Sequence, residues 1–135
     1  MDEKKQQELM FKLQMYEQQM QNMQQQIGAI EEAKIDLEKL EVDLEEFSGK
    51  RESEVLAPLG RGIFVKTKLL SEEFLVDIGG GNLVKKTIPE TKKVLEEQIK
   101  KLNGLKEELQ EALENLHKEL ETMFLDAQKE QEQSQ

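Results

Sequence analysis

The chain contains no cysteine, no tryptophan and only two prolines among its 135 residues. The absence of cysteine excludes disulfides, thiolate metal sites and cysteine nucleophiles. Aromatic residues make up 4% and the mean hydropathy is -0.72, which is too polar for a compact globule of this length. Because 36% of the residues are nevertheless hydrophobic, the composition favours long helices that each bury a narrow stripe.

The chain also lacks a long apolar run. No segment approaches the ~18 apolar residues that a membrane span needs, and the first residues, MDEKKQQE, lack the apolar core of a secretory signal. The net charge is -10, so nucleic-acid phosphates and anionic membranes repel the chain. We therefore expect a cytoplasmic protein that binds no nucleic acid and no membrane.

Residue patterns of enzymes and metal sites are missing as well. The single histidine, His117, has no cysteine or second histidine with which to bind a metal or build a catalytic triad. The glycine run at 79–81 is not followed by the Lys-Ser/Thr of a phosphate-binding loop. We predict no catalytic residues, no cofactor and no metal, and therefore no enzyme.

Glycine and proline divide the chain into three segments. Both prolines and six of the eight glycines lie between positions 49 and 89. Because these residues interrupt helices, we predict a coiled-coil helix over 1–48, a β insert over 49–88, and a coiled-coil helix with a frayed tail over 89–135.

The first segment carries a seven-residue apolar repeat, which is typical of a coiled coil. One row consists of Leu9, Tyr16, Met23, Ile30, Leu37 and Leu44. The second row follows members of the first row by four residues at Leu13, Met20 and Ile27. Farther along, it follows them by only three residues, at Ala33, Leu40 and Phe47. This change predicts a local discontinuity of the coil. Ile35 and Val42, seven apart, are expected to widen the buried face.

The last segment repeats more regularly. Its first row is Ile88, Leu95, Leu102, Leu109, Leu116 and Met123. Its second row is Ile99, Leu113, Leu120 and Ala127, interrupted by Lys106. Thr87, with Glu90 three residues later, has the pattern of a helix N-cap. Since the two helical segments have nearly equal lengths, we predict an antiparallel hairpin; the alternative is parallel pairing of each helix with a second chain.

The insert alternates apolar and polar residues with a period of two, which predicts two β-hairpins at about 55–68 and 74–88. Two small hairpins cannot bury an adequate core by themselves. We therefore predict an α+β protein whose hairpins complete a sheet or barrel with other subunits. The apolar strand residues that would mediate this assembly are Ile63, Val65, Phe74, Val76, Ile78 and Leu83.

Five apolar residues near the two ends of the chain lie outside the repeat rows: Met10, Phe11, Met15, Phe124 and Leu125. An antiparallel hairpin would bring them to its free end, which we call the tip. Thioether side chains adapt to varied partners, so we interpret these residues as a binding surface. Two alternatives stay open: terminal turns simply tolerate such residues, or Phe11 packs against Phe124.

Residues 55–65, VLAPLGRGIFV, and 74–81, FLVDIGGG, resemble the prefoldin family in its archaeal alpha type. In that family a Pro-Leu/Val-Gly turn leads into an apolar strand, and a second strand ends in Gly-x-Gly. Asn82 replaces the apolar residue that usually follows. The layout of helix, two hairpins and helix resembles the family over the whole chain.

The resemblance implies a hexamer of two alpha and four beta subunits, whose hairpins form a β-barrel platform. It also implies that the tips hold non-native polypeptides without ATP and deliver them to a group II chaperonin. The alternative is a coiled-coil scaffold or a regulatory subunit that does not bind unfolded chains.

Overall fold

A computed structural model describes residues 2–133. Its elements, in chain order, are α1 (Glu3–Glu45), β1 (Glu54–Gly60), β2 (Ile63–Lys68), β3 (Phe74–Asp77), β4 (Leu83–Lys86) and α2 (Ile88–Gln133). The predicted α+β class, with two long helices flanking two hairpins, is confirmed. The expected frayed tail is helical as far as Gln133, and residues 134 and 135 lie outside the described range. Neither helix of the described range has an apolar stretch long enough to cross a membrane.

The chain divides into two compact units. The first unit comprises residues 1–33 and 102–135, and the second comprises residues 34–101. The first unit therefore consists of the beginning of α1 and the end of α2. The second unit contains the remainder of both helices and all four strands of the described chain.

In the first unit the two helices run antiparallel. The Glu31 carboxylate forms an ion pair with Lys106, and the Tyr16 hydroxyl hydrogen-bonds the Glu119 carboxylate. Positions nearer the start of α1 therefore lie beside positions nearer the end of α2. Leu116 is buried in this unit, and the other members of the predicted rows are mostly half-buried. The predicted antiparallel hairpin is confirmed within one chain.

In the second unit the core is small and lies where the helices meet the strands. Leu44, Ile88, Leu95 and Thr91 are its buried residues. Phe47 follows the end of α1 and packs edge-on against Phe74 of β3, with ring centroids 5.7 Å apart and an interplanar angle of 74°. The ring contact attaches the second hairpin to the helical end.

The seam of α1 continues without the expected discontinuity. Lys34 and Glu41 are half-buried, four residues after Ile30 and Leu37, whereas Ala33 and Leu40 are exposed. The predicted shift to a row through Ala33 and Leu40 is wrong. The spacing between successive seam residues alternates between four and three positions without interruption, and this keeps one face of α1 toward α2. The methylene stems of Lys34 and Glu41 can cover that seam in place of apolar side chains.

The expectation that Ile35 and Val42 widen the buried face is also wrong. Their side chains are 58% and 65% exposed. Each follows a seam residue, Lys34 or Glu41, by one position, and one residue rotates a side chain by about 100° around a helix with 3.6 residues per turn. These two side chains therefore point away from the seam.

Both predicted hairpins are present. β1 and β2 pair antiparallel from Glu54 opposite Lys68 to Gly60 opposite Ile63, with a register shift between Pro58 and Gly60. β3 and β4 pair antiparallel from Phe74 opposite Lys86 to Asp77 opposite Leu83. Within residues 2–133 they form two separate two-stranded sheets.

Local hydrogen bonds determine where α2 begins. The Glu90 N–H donates to the Thr87 hydroxyl oxygen at 3.3 Å, and that hydroxyl donates to the Glu90 carboxylate at 2.9 Å. The predicted N-cap is therefore confirmed. Such a cap satisfies backbone N–H groups that have no partner inside the helix. It places the first turn of α2 directly after β4.

Gly81 and Gly28 allow one substitution to be tested in two backbone conformations. Gly81 has φ 78°, whereas Gly28 lies in α1, and an added Cβ meets no atom within 4 Å at either position. Gly81→Ala should lower the free energy of unfolding by ~1–2 kcal/mol because left-handed backbone disfavours a Cβ. Gly28→Ala should raise it by ~0.5–1 kcal/mol. Denaturant unfolding followed by circular dichroism measures both, and shifts of the same sign would contradict the assigned conformations.

Candidate functional site

The tip residues predicted from the sequence are exposed in the first unit. Their side chains are between 46% and 64% accessible to solvent; they are Met10, Phe11, Met15, Phe124 and Leu125. The nearby seam positions Leu9, Leu13 and Met123 are half-buried instead. Other residues therefore pack the seam between the helices. These five form an additional apolar surface, which we call the tip surface.

The beginning of α1 and the last part of α2 meet at one level of the helix pair. Leu9 of α1 and Met123 of α2 line the same cleft of about 280 Å³. Met10 and Phe124 follow them directly in the sequence and therefore lie at that level. The antiparallel pairing brings the two parts of the tip surface together, as the sequence predicts.

The two flanks of this level differ in chemistry. Lys5 and Lys12 lie seven residues apart and line the cleft together with Asp126. Leu9 and Met123 are seam residues of the two helices. In an antiparallel helix pair, the residues that follow such seam residues by one position lie on the same flank of the pair. The residues that follow them by three positions lie together on the opposite flank. Met10 and Phe124 therefore lie on an apolar flank, opposite the flank of Lys12 and Asp126.

The remaining tip residues lie on the outer faces of the two helices. On the helical wheel, Phe11 and Leu125 lie about 100° beyond Met10 and Phe124, and Met15 lies between Phe11 and the flank of Lys12. Phe11 and Phe124 are each more than half exposed, so neither ring is a core residue. Met20 and Met23, by contrast, occupy half-buried seam positions.

Tyr16 lies on the seam next to the tip surface and connects the two helices. Its hydroxyl donates a hydrogen bond to the Glu119 carboxylate, and this bond raises the pKa of Tyr16 above its ordinary value, 10.0. The negative charge of Glu119 and partial burial act in the same direction. The helix pair therefore stabilises the neutral, protonated form of Tyr16.

The predicted assembly residues of the first hairpin share one exposed apolar face. Ile63 and Val65 are exposed and lie on the same face of β2 as Thr67. Val65 pairs with Ala57 across the hairpin. Exposure along this face is greatest at the turn, where Ile63 lies.

The predicted residues of the second hairpin lie on both of its faces. Phe74 and Val76 are half-buried, and Phe74 contacts Phe47. Leu83 is exposed on the opposite face, and Ile78 is exposed just after the end of β3. The second hairpin therefore presents one face to its own chain and carries exposed apolar residues on the other.

Sequence reasoning missed several exposed apolar residues of the strands. They are Leu56, Leu59, Phe64, Leu75 and Val84. Leu56 and Phe64 lie on the face of the first hairpin opposite Val65, whereas Leu75 shares a face with Leu83. The signal was present, because apolar residues occur on both phases of the period-two alternation, but only some of them were assigned to the assembly surface. Two-sided apolar strands are characteristic of strands that are covered on both faces.

Within residues 2–133 no group of three or more His, Asp and Glu residues could hold a metal ion. His117 is exposed. The tip and the hairpins offer exposed apolar side chains, backbone groups at strand edges, and charge.

The comparisons with known proteins agree with this architecture. A family model described as prefoldin subunit matches residues 16–133. The chain is 31% identical over 130 residues to prefoldin subunit alpha 1 of Methanocaldococcus jannaschii, covering 91% of this chain and 90% of that protein. It is 30% identical over 129 residues to prefoldin subunit alpha of Methanobrevibacter smithii, covering 90% and 88%.

A solved structure shows a similar fold. The cryo-EM structure of filamentous PFD from Methanocaldococcus jannaschii aligns with a TM-score of 0.77 and covers 84% of this chain and 96% of that chain. The sequence identity in this alignment is 22%, so the likeness concerns the fold.

The bond between Tyr16 and Glu119 can be tested because the chain has one tyrosine and no tryptophan. Phenolate absorbance should titrate above pH 10 in the folded chain, and Glu119→Ala should return the midpoint to about 10. Since the folded state holds the phenol proton more tightly than the unfolded state, the stabilisation exists below pH 10 and is lost as pH rises through the raised pKa. Glu121→Ala serves as the control and should leave the midpoint unchanged. A parental midpoint at or below 10 would refute the bond.

Proposed function

The chain belongs to the prefoldin family, a family of chaperone subunits, and we propose that it captures unfolded polypeptides at its tip without ATP and delivers them to a group II chaperonin. Its resemblance to the archaeal alpha type is confirmed by the relatives of that name. Capture and delivery are the parts of this function that we propose. The observation that carries the proposal is the exposed tip surface.

The tip surface has the properties that reversible holding requires. Its five apolar side chains are not needed to close the seam and are between 46% and 64% exposed. Full burial of one such side chain contributes roughly 1.5–3 kcal/mol. Several partial contacts can therefore hold an unfolded chain while each single contact remains weak enough to break. Unbranched Met10 and Met15 can adapt to different client side chains.

The hairpins support assembly with other subunits. A two-stranded sheet is marginally stable on its own, and these two sheets carry exposed apolar residues, among them Leu56, Ile63 and Leu75. Their outer strands also leave backbone N–H and C=O groups available for pairing. We propose that they join prefoldin beta subunits in a β-barrel platform, with two alpha and four beta subunits.

The proposed setting is the cytoplasm. A chain without cysteine is suited to a reducing compartment, and both unfolded nascent chains and a group II chaperonin would be encountered there. The competing proposal is a coiled-coil scaffold or regulatory subunit that assembles through the hairpins but has no affinity for unfolded chains. It differs from the chaperone proposal in the role of the tip.

Removal of the tip surface separates the two proposals. Met10, Phe11, Met15, Phe124 and Leu125 are changed together to Ser or Gln in the assembled protein. Binding of a denatured test protein should weaken at least tenfold, because ~1.4 kcal/mol of lost contact already has this effect. Suppression of aggregation should weaken in parallel. The matched control changes the exposed residues Ile35 and Val42, which lie outside the tip, to Gln and should retain both activities.

Undiminished holding by the tip variant would favour the scaffold or a different client surface. Circular dichroism and native mass are measured in parallel for both variants. A large loss of helix stability in the tip variant would show that its side chains were core residues and would contradict their assignment as a binding surface.

The platform is tested by placing charge on the hairpin faces. Ile63→Asp and Leu83→Asp together leave the backbone ladder intact but put carboxylates on apolar faces, so a mixture with beta subunits should fail to reach hexameric mass in light scattering. Lys66→Asp, at an exposed position that is already polar, is the control and should assemble. Normal assembly of the first variant would show that these faces are not in the platform. Masses well above the hexamer would instead indicate filament formation.

A further inference from the structure

The charge of the chain is distributed very unevenly between its two units. Residues 1–33 and 102–135 contain 15 acidic and 6 basic residues, a net charge of -9. Residues 34–101 contain 14 acidic and 13 basic residues, a net charge of -1. Nearly all of the net charge of -10 therefore belongs to the unit that carries the tip surface.

Carboxylates lie directly beside the tip surface. Glu8 precedes Phe11 by three positions, and Glu121 precedes Phe124 by three and Leu125 by four. Side chains three or four positions apart on a helix are neighbours about 5–6 Å apart at Cβ. Both glutamates are exposed. A polypeptide that covers these apolar side chains therefore also approaches their carboxylates.

The six basic residues of this unit are fewer than half as many as its 15 acidic residues. Lys106 is paired with Glu31, and Lys118 lies 3.8 Å from Glu114. Lys5 and Lys12 line the cleft beside Glu8 and two carboxylates of α2. Among the described residues, Glu121 has no ion-pair partner. The tip surface therefore lies in a strongly negative unit, with the Glu121 carboxylate next to Phe124 and Leu125.

We propose that the tip selects, among unfolded polypeptides, apolar segments that carry net positive charge. The proposal rests on the client-binding function of the tip surface and specifies its substrate class. Apolar contacts provide the affinity, while lysine and arginine side chains of the client interact with the carboxylates around them. Acidic segments meet like charge and are disfavoured, so that the same field both attracts one class and rejects the other.

Electrostatic steering affects the rate of capture most strongly. Complementary fields raise association rates by about 10–10³-fold at low ionic strength. The Debye length is about 8 Å at physiological salt, so carboxylates adjacent to the apolar side chains retain influence there while distant ones are screened. Selectivity should therefore be largest at low salt, persist in part at physiological salt and vanish at high salt.

Three unstructured peptides test the proposal. They share one pattern of Leu and Phe with a single Trp, and the intervening positions are Lys in the basic peptide, Gln in the neutral peptide and Glu in the acidic peptide. Because the full chain has no tryptophan, peptide fluorescence reports binding to the chain directly. At low salt the basic peptide should bind about 10-fold faster than the neutral one, and the acidic peptide should bind more weakly than both.

Matched variants connect this preference to the tip. Glu8→Gln with Glu121→Gln removes two charges beside the tip surface and should reduce the basic-to-neutral rate ratio by two- to threefold while leaving binding of the neutral peptide unchanged. Glu38→Gln with Glu96→Gln removes two exposed charges from the other unit and changes the net charge of the chain equally. This control should keep the parental ratio.

The outcomes distinguish the proposed selectivity from the proposed function. Equal rates for the three peptides, or equal effects of the two charge variants, would overturn the selectivity while leaving client binding intact. Failure of all three peptides to bind would overturn client binding by the tip and the selectivity with it. Loss of binding of all three peptides in the five-residue tip variant supports the function alone.

Discussion

The structure depends on one narrow seam between two helices. Each helix exceeds 40 residues, yet only a few side chains of the described chain, such as Leu44, Leu95 and Leu116, become buried in it. A seam of this kind uses about two residues in every seven. Apolar residues of the helices outside the seam remain on the surface, so the tip residues are exposed without being withdrawn from the core.

Polar groups in and beside the seam determine which residues of the two helices lie opposite each other. A slip of one turn would preserve most apolar contacts, but it would separate Glu31 from Lys106 and Tyr16 from Glu119. Single polar positions specify register in coiled coils at some cost in stability. Register in turn decides whether Met10 and Phe124 share a level. The polar interruptions in the apolar rows therefore contribute to the geometry of the tip.

The sequence is sufficient to predict the fold because its strongest signals are local. The α2 rows, the Thr87 cap and the hairpin turns each follow from spacing or backbone chemistry. The prediction failed for Ala33 and Leu40, because apolar character alone ranked them above Lys34 and Glu41, whose stems fill the seam. The apolar character of Leu56 and Leu75 is legible in the sequence, but whether their faces are covered depends on partner chains. The tip surface was predictable because Met10 and Phe124 fall outside a repeat that is otherwise regular.

The two exposed apolar surfaces, on the hairpins and at the tip, differ in how far their order depends on a partner. The hairpins place apolar residues on both faces of marginal two-stranded sheets, so partner chains that cover these faces would stabilise them. The tip residues stand on helices that are held by the seam, so their order does not depend on a partner. A surface that stays folded when empty can bind and release repeatedly, whereas a surface that needs its partner to fold is suited to lasting assembly. The proposed assembly interface and the proposed client surface therefore differ in what they need from a partner, because the client surface is built on helix.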